Sequence, residues 1–254
     1  MSAAPPPPPG LLLRHTPGAR TGTRLVCLPH AGGAPGMFVP WADGLGPDVE
    51  LVSVRYGTPG RVPDSVAALA GLVAGELGRL PRRPTLLFGH SMGGIVAYEV
   101  ARRCPARAGL VRLVVSGTVA PAAHLPGDTH RLDDEAFVAE LTALGGTDAE
   151  LLADPAARSV WLPPIRRDFR LIDTYRHRPG PPLACPVTAL AGHDDHEAPP
   201  DLMRAWRDTT SAGFDLRVFP GGHFYLLAGR QAVVTELRRR LARPGAAPPA
   251  LALP

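Results

Sequence analysis

The chain has 254 residues, and its 27 basic residues exceed its 23 acidic residues to give a formal net charge of +4. With 45% hydrophobic and 20% charged positions, it has the composition of a folded globular protein and not of a disordered one. Its apolar runs are too short to span a membrane, and its three widely spaced cysteines predict neither a disulfide framework nor structural zinc. Aromatic residues make up 6% of the chain and form no stripe with basic residues, so we expect no nucleic-acid partner.

The N-terminal segment contains the proline run Pro5–Pro9 and has no basic stretch that leads into a long apolar one. A signal peptide needs both features, so we expect a cytoplasmic protein. Residues 1–20 and 244–254 lack any periodic pattern. They are predicted to form a disordered, Pro-rich tail and a flexible tail on either side of a domain at 21–243.

Short apolar runs alternate with helical patterns along this domain. Such runs are typical of buried parallel strands, and the predicted strands are Leu25–Leu28, Leu51–Val54, Thr85–Phe88, Leu113–Val115, Val187–Ala191 and Leu216–Phe219. The predicted helices are Asp64–Leu80, Met92–Arg103, Pro200–Asp208 and Gln231–Leu241. The alternation predicts an α/β fold with a mostly parallel sheet, helices on both faces and reactive groups at the carboxyl ends of the strands.

The stretch 121–182 breaks this alternation. It contains no convincing strand, but it has helical patterns at Asp133–Leu144 and Ile165–Tyr175. About sixty residues between two core strands are too many for a simple connection. We therefore predict a helical lid over the sheet, which would exclude water and shape a pocket.

The sharpest motif is Gly89-His90-Ser91-Met92-Gly93, which lies between the predicted strand Thr85–Phe88 and the predicted helix Met92–Arg103. A GxSxG motif in this context is typical of a nucleophile elbow, where a strained turn holds the serine hydroxyl above the sheet edge. The start of the helix directs backbone N–H groups at the place where an oxyanion would form. We predict Ser91 as the nucleophile and the Met92 N–H as an oxyanion donor; the alternative is an ordinary glycine-rich turn.

A serine nucleophile needs a base, and in this architecture an acid and then a histidine follow the serine along the chain. Among 9 histidines, His223 follows the strand Leu216–Phe219, and the glycines before it let the loop turn back toward the elbow. His90 lies inside the elbow and is predicted to point away from the pocket, while His30 belongs to another loop. We predict His223 as the general base.

The orienting carboxylate is expected just beyond the strand Val187–Ala191, where Asp194 and Asp195 are both within reach of the base. The flanking histidines His193 and His196 also permit a metal-site interpretation, because imidazole and carboxylate groups bind zinc and iron. A solvated loop is the third interpretation. The metal interpretation is the weakest, since no matching pair of ligands occurs elsewhere in the sequence.

A second oxyanion donor is expected after the first strand, where Pro29-His30-Ala31-Gly32-Gly33 follows Leu25–Leu28. Glycines allow the backbone to approach a substrate closely, so we predict that the Ala31 N–H faces the substrate carbonyl. The alternative is a simple glycine turn.

The family resemblance rests on segments spread over about residues 22–242. These segments are Leu25–Gly33, Phe38, Trp41, Gly89–Gly93, Ala97–Glu99, Leu162–Pro163, Arg167–Phe169, Tyr175, Pro182–Leu183, Cys185–Val187 and Gly221–Phe224. Together they resemble the type II thioesterases of polyketide and nonribosomal peptide biosynthesis. The resemblance is specific because the predicted lid matches as well as the catalytic motifs.

The resemblance implies an α/β-hydrolase fold with a helical lid and a serine thioester hydrolase. It implies Ser91 as nucleophile, His223 as base and Asp195 as the orienting acid, with Ala31 and Met92 as oxyanion donors. Asp195 is favoured over Asp194 because the acid of the family closes a GxxD pattern, which Gly192 to Asp195 fits.

The implied substrate is an acyl group on the phosphopantetheine arm of an acyl or peptidyl carrier protein domain of a synthase. We expect no cofactor and no metal, no membrane partner, and a monomer. Arginines near the lid are expected to meet the phosphate of the arm.

Three other functions share the motifs. A chain-releasing thioesterase or cyclase and a small-molecule esterase would use the same triad, and a non-catalytic homologue would bind carrier proteins only. The absence of an attached carrier domain favours an editing enzyme over chain release. The presence of all three triad residues disfavours the non-catalytic interpretation.

Overall fold

The structure is a computed structural model that describes residues 10–16, 22–146, 152 and 154–242. Seven strands form one sheet in the order β1-β3-β2-β4-β5-β6-β7. The strands are β1 Leu12–Arg14, β2 Thr23–Leu28, β3 Val49–Val54, β4 Thr85–His90, β5 Leu110–Ser116, β6 Val187–Gly192 and β7 Phe214–Phe219. Only β1 is antiparallel to its neighbour, so the predicted mostly parallel sheet is confirmed.

The edge strand β1 corrects the prediction of a disordered tail over residues 1–20. Its backbone pairs with β3 from Leu12 opposite Val54 to Arg14 opposite Val52. The backbone N–H groups of Leu11 and Leu12 donate to the Glu76 carboxylate at 2.9 and 3.2 Å, and Leu11 is fully buried. The segment is therefore ordered by partners that lie far away in the sequence. The rest of this predicted tail, at 1–9 and 17–20, and the predicted tail at 244–254 lie outside the described residues.

Helices cover both faces of the sheet and form the lid. They are α1 Ala42–Leu45, α2 Val66–Leu77, α3 Met92–Arg103, α4 Asp134–Leu144, α5 Pro155–Asp173, α6 Pro200–Met203, α7 Tyr225–Ala228 and α8 Arg230–Ala242. Short 3₁₀ segments lie at Pro35–Trp41, Ala106–Ala108, Thr129–Arg131 and Arg204–Thr209. None of the helices within the described ranges has the length and apolar character that crossing a membrane requires.

The core has two layers, because alternate residues of each strand face opposite sides of the sheet. On one side Val26 and Leu87 pack with α2 and α3, and on the other side Cys27 and Phe88 pack with α8 and Trp41. Both faces of the inner strands are buried, which explains why these strands are mainly apolar in the sequence. The sheet is thus a rigid platform whose carboxyl ends carry the loops of the site.

The lid lies between β5 and β6, and its described residues contain no strand between 121 and 182. Its own small core consists of Phe137, Leu141, Leu152, Leu162 and Ile165. Helix α5 starts ten residues before the predicted Ile165–Tyr175 and continues through Pro163 and Pro164. Asp154 caps this helix by accepting from the Ala156 N–H at 3.0 Å, and burial of Leu162 and Ile165 offsets the backbone hydrogen bonds that the prolines remove.

The three cysteines are free thiols that pack as small apolar groups. Burial raises the pKa of the Cys27 thiol well above its ordinary value, and it raises the pKa values of Cys104 and Cys185 to about 11. The thiols are therefore protonated at neutral pH.

Candidate active site

Ser91 sits on a strained turn between β4 and α3. Its φ of 53° and ψ of −126° make it the one non-glycine residue with positive φ in the described part of the chain. Such a conformation costs about 1 to 3 kcal/mol and persists only where the surroundings impose it. Here the Ser91 N–H donates to the Ser116 carbonyl at 2.8 Å and the Ser91 carbonyl accepts from the Gly94 N–H at 2.8 Å.

The glycines of the motif are required by the neighbouring backbone. A Cβ atom on Gly89 would lie 2.1 Å from the Gly93 carbonyl oxygen, and one on Gly93 would lie 2.2 Å from the Leu28 carbonyl oxygen. No side chain fits at these distances, so the spacing of the motif follows from the way the turn packs against β2.

Ser91 lines a cavity of about 490 Å³ between the sheet and the lid. His223, Ala31 and Met92 line the same cavity, so four of the five predicted site residues meet there. The lid contributes an apolar wall of Leu141, Leu144, Phe169 and Ile172. A cleft with an apolar wall and several polar groups is typical of a small-molecule site.

Asp195 lies behind His223 and is almost completely buried. Its carboxylate oxygens are 3.1 and 3.2 Å from Nδ1 of His223, and its Oδ1 also accepts from the N–H groups of Glu197 and Ala198 at 3.0 Å each. Burial by itself would raise the pKa of Asp195, but the hydrogen bonds and the charge of His223 lower it overall. Asp194 instead pairs with His193 at 2.7 Å on the exposed side of the loop, away from the base.

The Ser91 hydroxyl has no hydrogen-bond partner within the residues that the structure describes. Ser91 and His223 share the cavity wall, and Nδ1 of His223 is occupied by Asp195. This leaves Nε2 of His223 as the ring nitrogen that can serve the hydroxyl. Hydrogen bonds of this kind are often open in the unliganded enzyme and tighten when substrate binds.

Two further imidazoles, those of His90 and His30, lie near the predicted base His223. His90 is buried, its ring centre is 5.0 Å from that of His223, and its Nδ1 is hydrogen-bonded to the Ser116 hydroxyl at 3.0 Å. His30 lies 6.0 Å from His90. Burial and the charge of His223 lower the pKa of His90 well below its ordinary value and lower the pKa of His30 to about 4. Both rings are therefore neutral, which leaves His223 to carry the proton.

We expect the free energy of unfolding to fall as the pH drops from about 6.5 to about 4. In the unfolded chain His30 is protonated near its ordinary pKa of 6.5. In the folded chain its pKa is about 4, so it is protonated only at lower pH. The unfolded state thus binds more protons in this window, and the full difference corresponds to about 3 kcal/mol. Thermal unfolding across this range should show a flatter pH dependence in His30→Asn than in the wild type. Exposed His193→Asn is the control, and equal slopes in the wild type and His30→Asn would contradict the prediction.

The loop that carries the predicted donor Ala31 is held on both sides. From the core, the Tyr56 hydroxyl donates to the Pro29 carbonyl. From the lid, a carboxylate oxygen of Asp168 accepts from the Gly32 N–H at 3.0 Å. Two distant parts of the chain therefore determine the conformation of this loop, and the role of the Ala31 N–H stays a prediction.

The loop after β6 does not support the metal interpretation. Among the residues that the structure describes, no group of three His, Cys, Asp or Glu side chains is arranged to hold a metal ion. The contact between arginines at the mouth of the site and the phosphate of the substrate arm stays a prediction. The described lining of the cavity includes Glu140, Asp173 and Glu197 but no arginine.

The elbow, the acid–histidine pair and the lid all lie within the part of the chain that one family model matches. The model of the thioesterase domain matches residues 23–241. The chain belongs to the thioesterase family. It is 40% identical over 248 residues to the probable cadicidin biosynthesis thioesterase of Streptomyces griseus, a match that covers 94% of this chain and 68% of that protein.

Other relatives agree with this membership. The thioesterase PikA5 of Streptomyces venezuelae is 42% identical over 228 residues, which cover 84% of this chain and 79% of PikA5. The structure of the type II thioesterase BorB from the borrelidin biosynthetic cluster is 39% identical with a TM-score of 0.81, and the match covers 91% of this chain and 97% of BorB. The predicted family and the predicted α/β-hydrolase fold are confirmed. The present thioesterase is accordingly a thioester hydrolase.

Several residues that shape this thioesterase site have no motif of their own. The Ser116 hydroxyl is hydrogen-bonded to His90 at 3.0 Å and to the Tyr225 hydroxyl at 2.7 Å, and Tyr56 anchors the loop of Ala31. Of these three residues, Ser116 is the one that the sequence could have indicated, because it is a polar residue at the carboxyl end of a buried strand. Tyr56 and Tyr225 read in the sequence as ordinary core aromatics.

Proposed function

We propose that the protein is a type II thioesterase that hydrolyses acyl thioesters from the phosphopantetheine arm of carrier proteins in polyketide or nonribosomal peptide synthesis, with Ser91, His223 and Asp195 as its triad. The observation that carries the proposal is that Ser91 and His223 line one lid-covered cavity while Asp195 is hydrogen-bonded to the far side of His223. The similarity to BorB and PikA5 supports the choice of substrate class.

In the first half-reaction the Ser91 oxygen attacks the thioester carbonyl while Nε2 of His223 takes the hydroxyl proton. Asp195 holds the ring in the tautomer that leaves Nε2 free and stabilises the imidazolium. The amides of Ala31 and Met92 bind the negative oxygen of the tetrahedral intermediate, and Met92 opens helix α3, whose dipole adds to this stabilisation. The intermediate then expels the pantetheine sulfur, which takes the proton from Nε2 of His223 and departs as the thiol, so the acyl group remains on Ser91 and His223 is again neutral.

In the second half-reaction a water molecule attacks the acyl-serine. His223 takes a proton from the water and returns it to the Ser91 oxygen as the acid is released. The thiolate is a good leaving group, so the return of a proton by His223 matters more in this half than in the first. The neutral rings of His30 and His90 do not compete with His223 for that proton.

The cavity supports acyl groups as the bound part of the substrate. Its lid wall of Leu141, Leu144, Phe169 and Ile172 is apolar, and a volume of about 490 Å³ suits an acyl chain of moderate length. The acidic groups Glu140 and Glu197 on the lining disfavour an acyl chain that ends in a carboxylate.

The test compares one acyl group on two carriers. The group is loaded on a phosphopantetheinylated carrier protein and on N-acetylcysteamine, a small thiol with the same reactive end, and kcat/KM is measured for both. We expect the carrier-bound form to react at least about ten times faster, because contacts away from the reacting bond also stabilise the transition state. Equal values would contradict carrier recognition.

A panel of acyl groups on the carrier protein separates editing from chain release. We expect similar release rates across short chains. A strong preference for one long, elaborate chain would contradict the editing function and favour a chain-releasing enzyme. Ser91→Ala serves as the blank for both assays.

A further inference from the structure

One side chain of the lid reaches directly into the backbone of the loop that carries Ala31. Oδ2 of Asp168, on helix α5, accepts from the Gly32 N–H at 3.0 Å, although the two residues are 136 positions apart. Asp168 is only 4% exposed, so this hydrogen bond is shielded from water. A shielded, charge-assisted bond is stronger than an exposed one and costs more to break.

A second lid residue packs on the same glycine. Gly32 has a φ of 76°, and a Cβ atom on it would lie 2.7 Å from Cγ1 of Ile165. Ile165 and Asp168 are three residues apart and therefore lie on the same face of α5. This face contacts Gly32 through both an apolar group and a hydrogen-bond acceptor.

The carboxylate of Asp168 is itself held in place. Its Oδ1 accepts from Nε and Nη2 of Arg167 at 3.0 and 2.6 Å, which leaves Oδ2 for the Gly32 amide. Burial raises the pKa of Asp168, while the Arg167 guanidinium and the Gly32 N–H act in the opposite direction. The side chain is thus specialised for a contact that a solvated lid surface would not need.

From these contacts we infer that Asp168 is a positioning residue, which couples the seating of the lid to the conformation of the oxyanion loop Pro29–Gly33. The inference rests on the proposed role of the Ala31 amide. When the face of α5 lies on Gly32, the peptide of Gly32 is fixed and the adjoining Ala31 N–H keeps its direction. When the lid lifts, Gly32 loses its acceptor and its packing partner, whereas the contacts of the loop with the core, such as that of Tyr56 with Pro29, do not hold the Gly32 peptide. The stabilisation of the oxyanion is therefore complete only under a seated lid.

The test uses Asp168→Ala with Asp168→Asn and Tyr175→Phe as comparisons. The Asn side chain can still accept from the Gly32 N–H, whereas Ala cannot. Tyr175→Phe removes a different buried hydrogen bond between the lid and the core, that from the Tyr175 hydroxyl to Glu99 at 2.8 Å, and does not touch the loop. It therefore reports the effect of a loosened lid alone.

We expect Asp168→Ala to lower kcat for thioester hydrolysis by about 10- to 100-fold, somewhat less than the loss of an oxyanion donor. KM should change less than about threefold, because the cavity wall remains. Asp168→Asn should recover most of kcat, and Tyr175→Phe should stay within about threefold of the wild type. A wild-type kcat in folded Asp168→Ala, or an equal loss in Tyr175→Phe, would overturn the inference.

Amide hydrogen exchange gives a readout that does not depend on activity. The exchange of the Gly32 amide should accelerate at least about tenfold in Asp168→Ala and remain unchanged in Tyr175→Phe. Unchanged exchange in Asp168→Ala overturns the coupling even if the wild type hydrolyses thioesters. Accelerated exchange in a wild type that fails to hydrolyse any thioester would instead refute the proposed function alone. If Asp168→Ala does not fold, Asp168→Leu fills the same space, accepts no hydrogen bond and takes its place in both assays.

Discussion

Replacing Ser91 with alanine is expected to lower kcat for thioester hydrolysis by at least about 10⁴-fold, because the variant lacks the hydroxyl that is proposed to form the acyl-enzyme. The fold should remain intact, since the hydroxyl has no hydrogen-bond partner in the described part of the chain. Steady-state hydrolysis of a carrier-bound acyl group measures the loss. Labelling with a fluorophosphonate, which reacts with activated serines, should occur in the wild type and disappear in the variant. Labelling that persists in Ser91→Ala, or a folded wild type that does not label, would contradict the assignment.

Ser91→Gly provides the matched comparison. It should be as inactive as Ser91→Ala but more stable, because glycine adopts the φ of 53° at this position without steric strain. The expected gain in the free energy of unfolding is about 1 kcal/mol, which thermal unfolding can resolve. A glycine variant less stable than the alanine variant would show that the turn is not strained at this residue.

Asp195→Asn is expected to lower kcat by about 10³- to 10⁴-fold, while Asp194→Asn should change it less than about twofold. The two acids are adjacent in sequence but face opposite ways. Asp195 is buried against Nδ1 of His223 at 3.1 Å, and Asp194 pairs with His193 in solvent. An asparagine at 195 can donate to Nδ1 and so favours the tautomer in which Nε2 carries a proton and cannot act as a base.

Both variants should be measured as a function of pH, with the same acyl carrier substrate. In Asp195→Asn the residual activity should increase as the hydroxide concentration rises, because the base no longer generates the nucleophile at neutral pH. A large loss in Asp194→Asn, together with a small one in Asp195→Asn, would reverse the assignment of the orienting acid.

The nucleophile region could be predicted from the sequence because its constraints are local. A turn with positive φ and a closely packed backbone requires glycines at fixed positions around the serine, and Gly89 and Gly93 have those positions. Strands β2 to β7 were also predictable, because each contains a short and mainly apolar run. Sequence spacing alone did not separate Asp194 from Asp195. Their different directions appear only once the loop after β6 is folded.

The remaining features depend on contacts between distant segments. The three residues of β1 form a strand because their backbone pairs with the edge of β3 and the Glu76 carboxylate accepts the Leu12 N–H. The sequence Leu12–Arg14 by itself does not indicate a strand. The contact between Asp168 and Gly32 joins the lid to a loop that is 136 residues away in the sequence. Helix α5 extends through two prolines because its apolar face is buried in the lid. In each case tertiary contacts outweigh the local propensity.

The burial of the three cysteines has a practical consequence for measuring this enzyme. Its reaction releases a thiol. Chromogenic disulfide reagents detect this product because its thiolate exchanges with the disulfide of the reagent. At pH 8, thiols with pKa values of about 11, as at Cys104 and Cys185, are ionised to only about one part in a thousand. Product formation can thus be followed continuously in the presence of the native enzyme, with little background colour from the catalyst and without blocking its side chains beforehand.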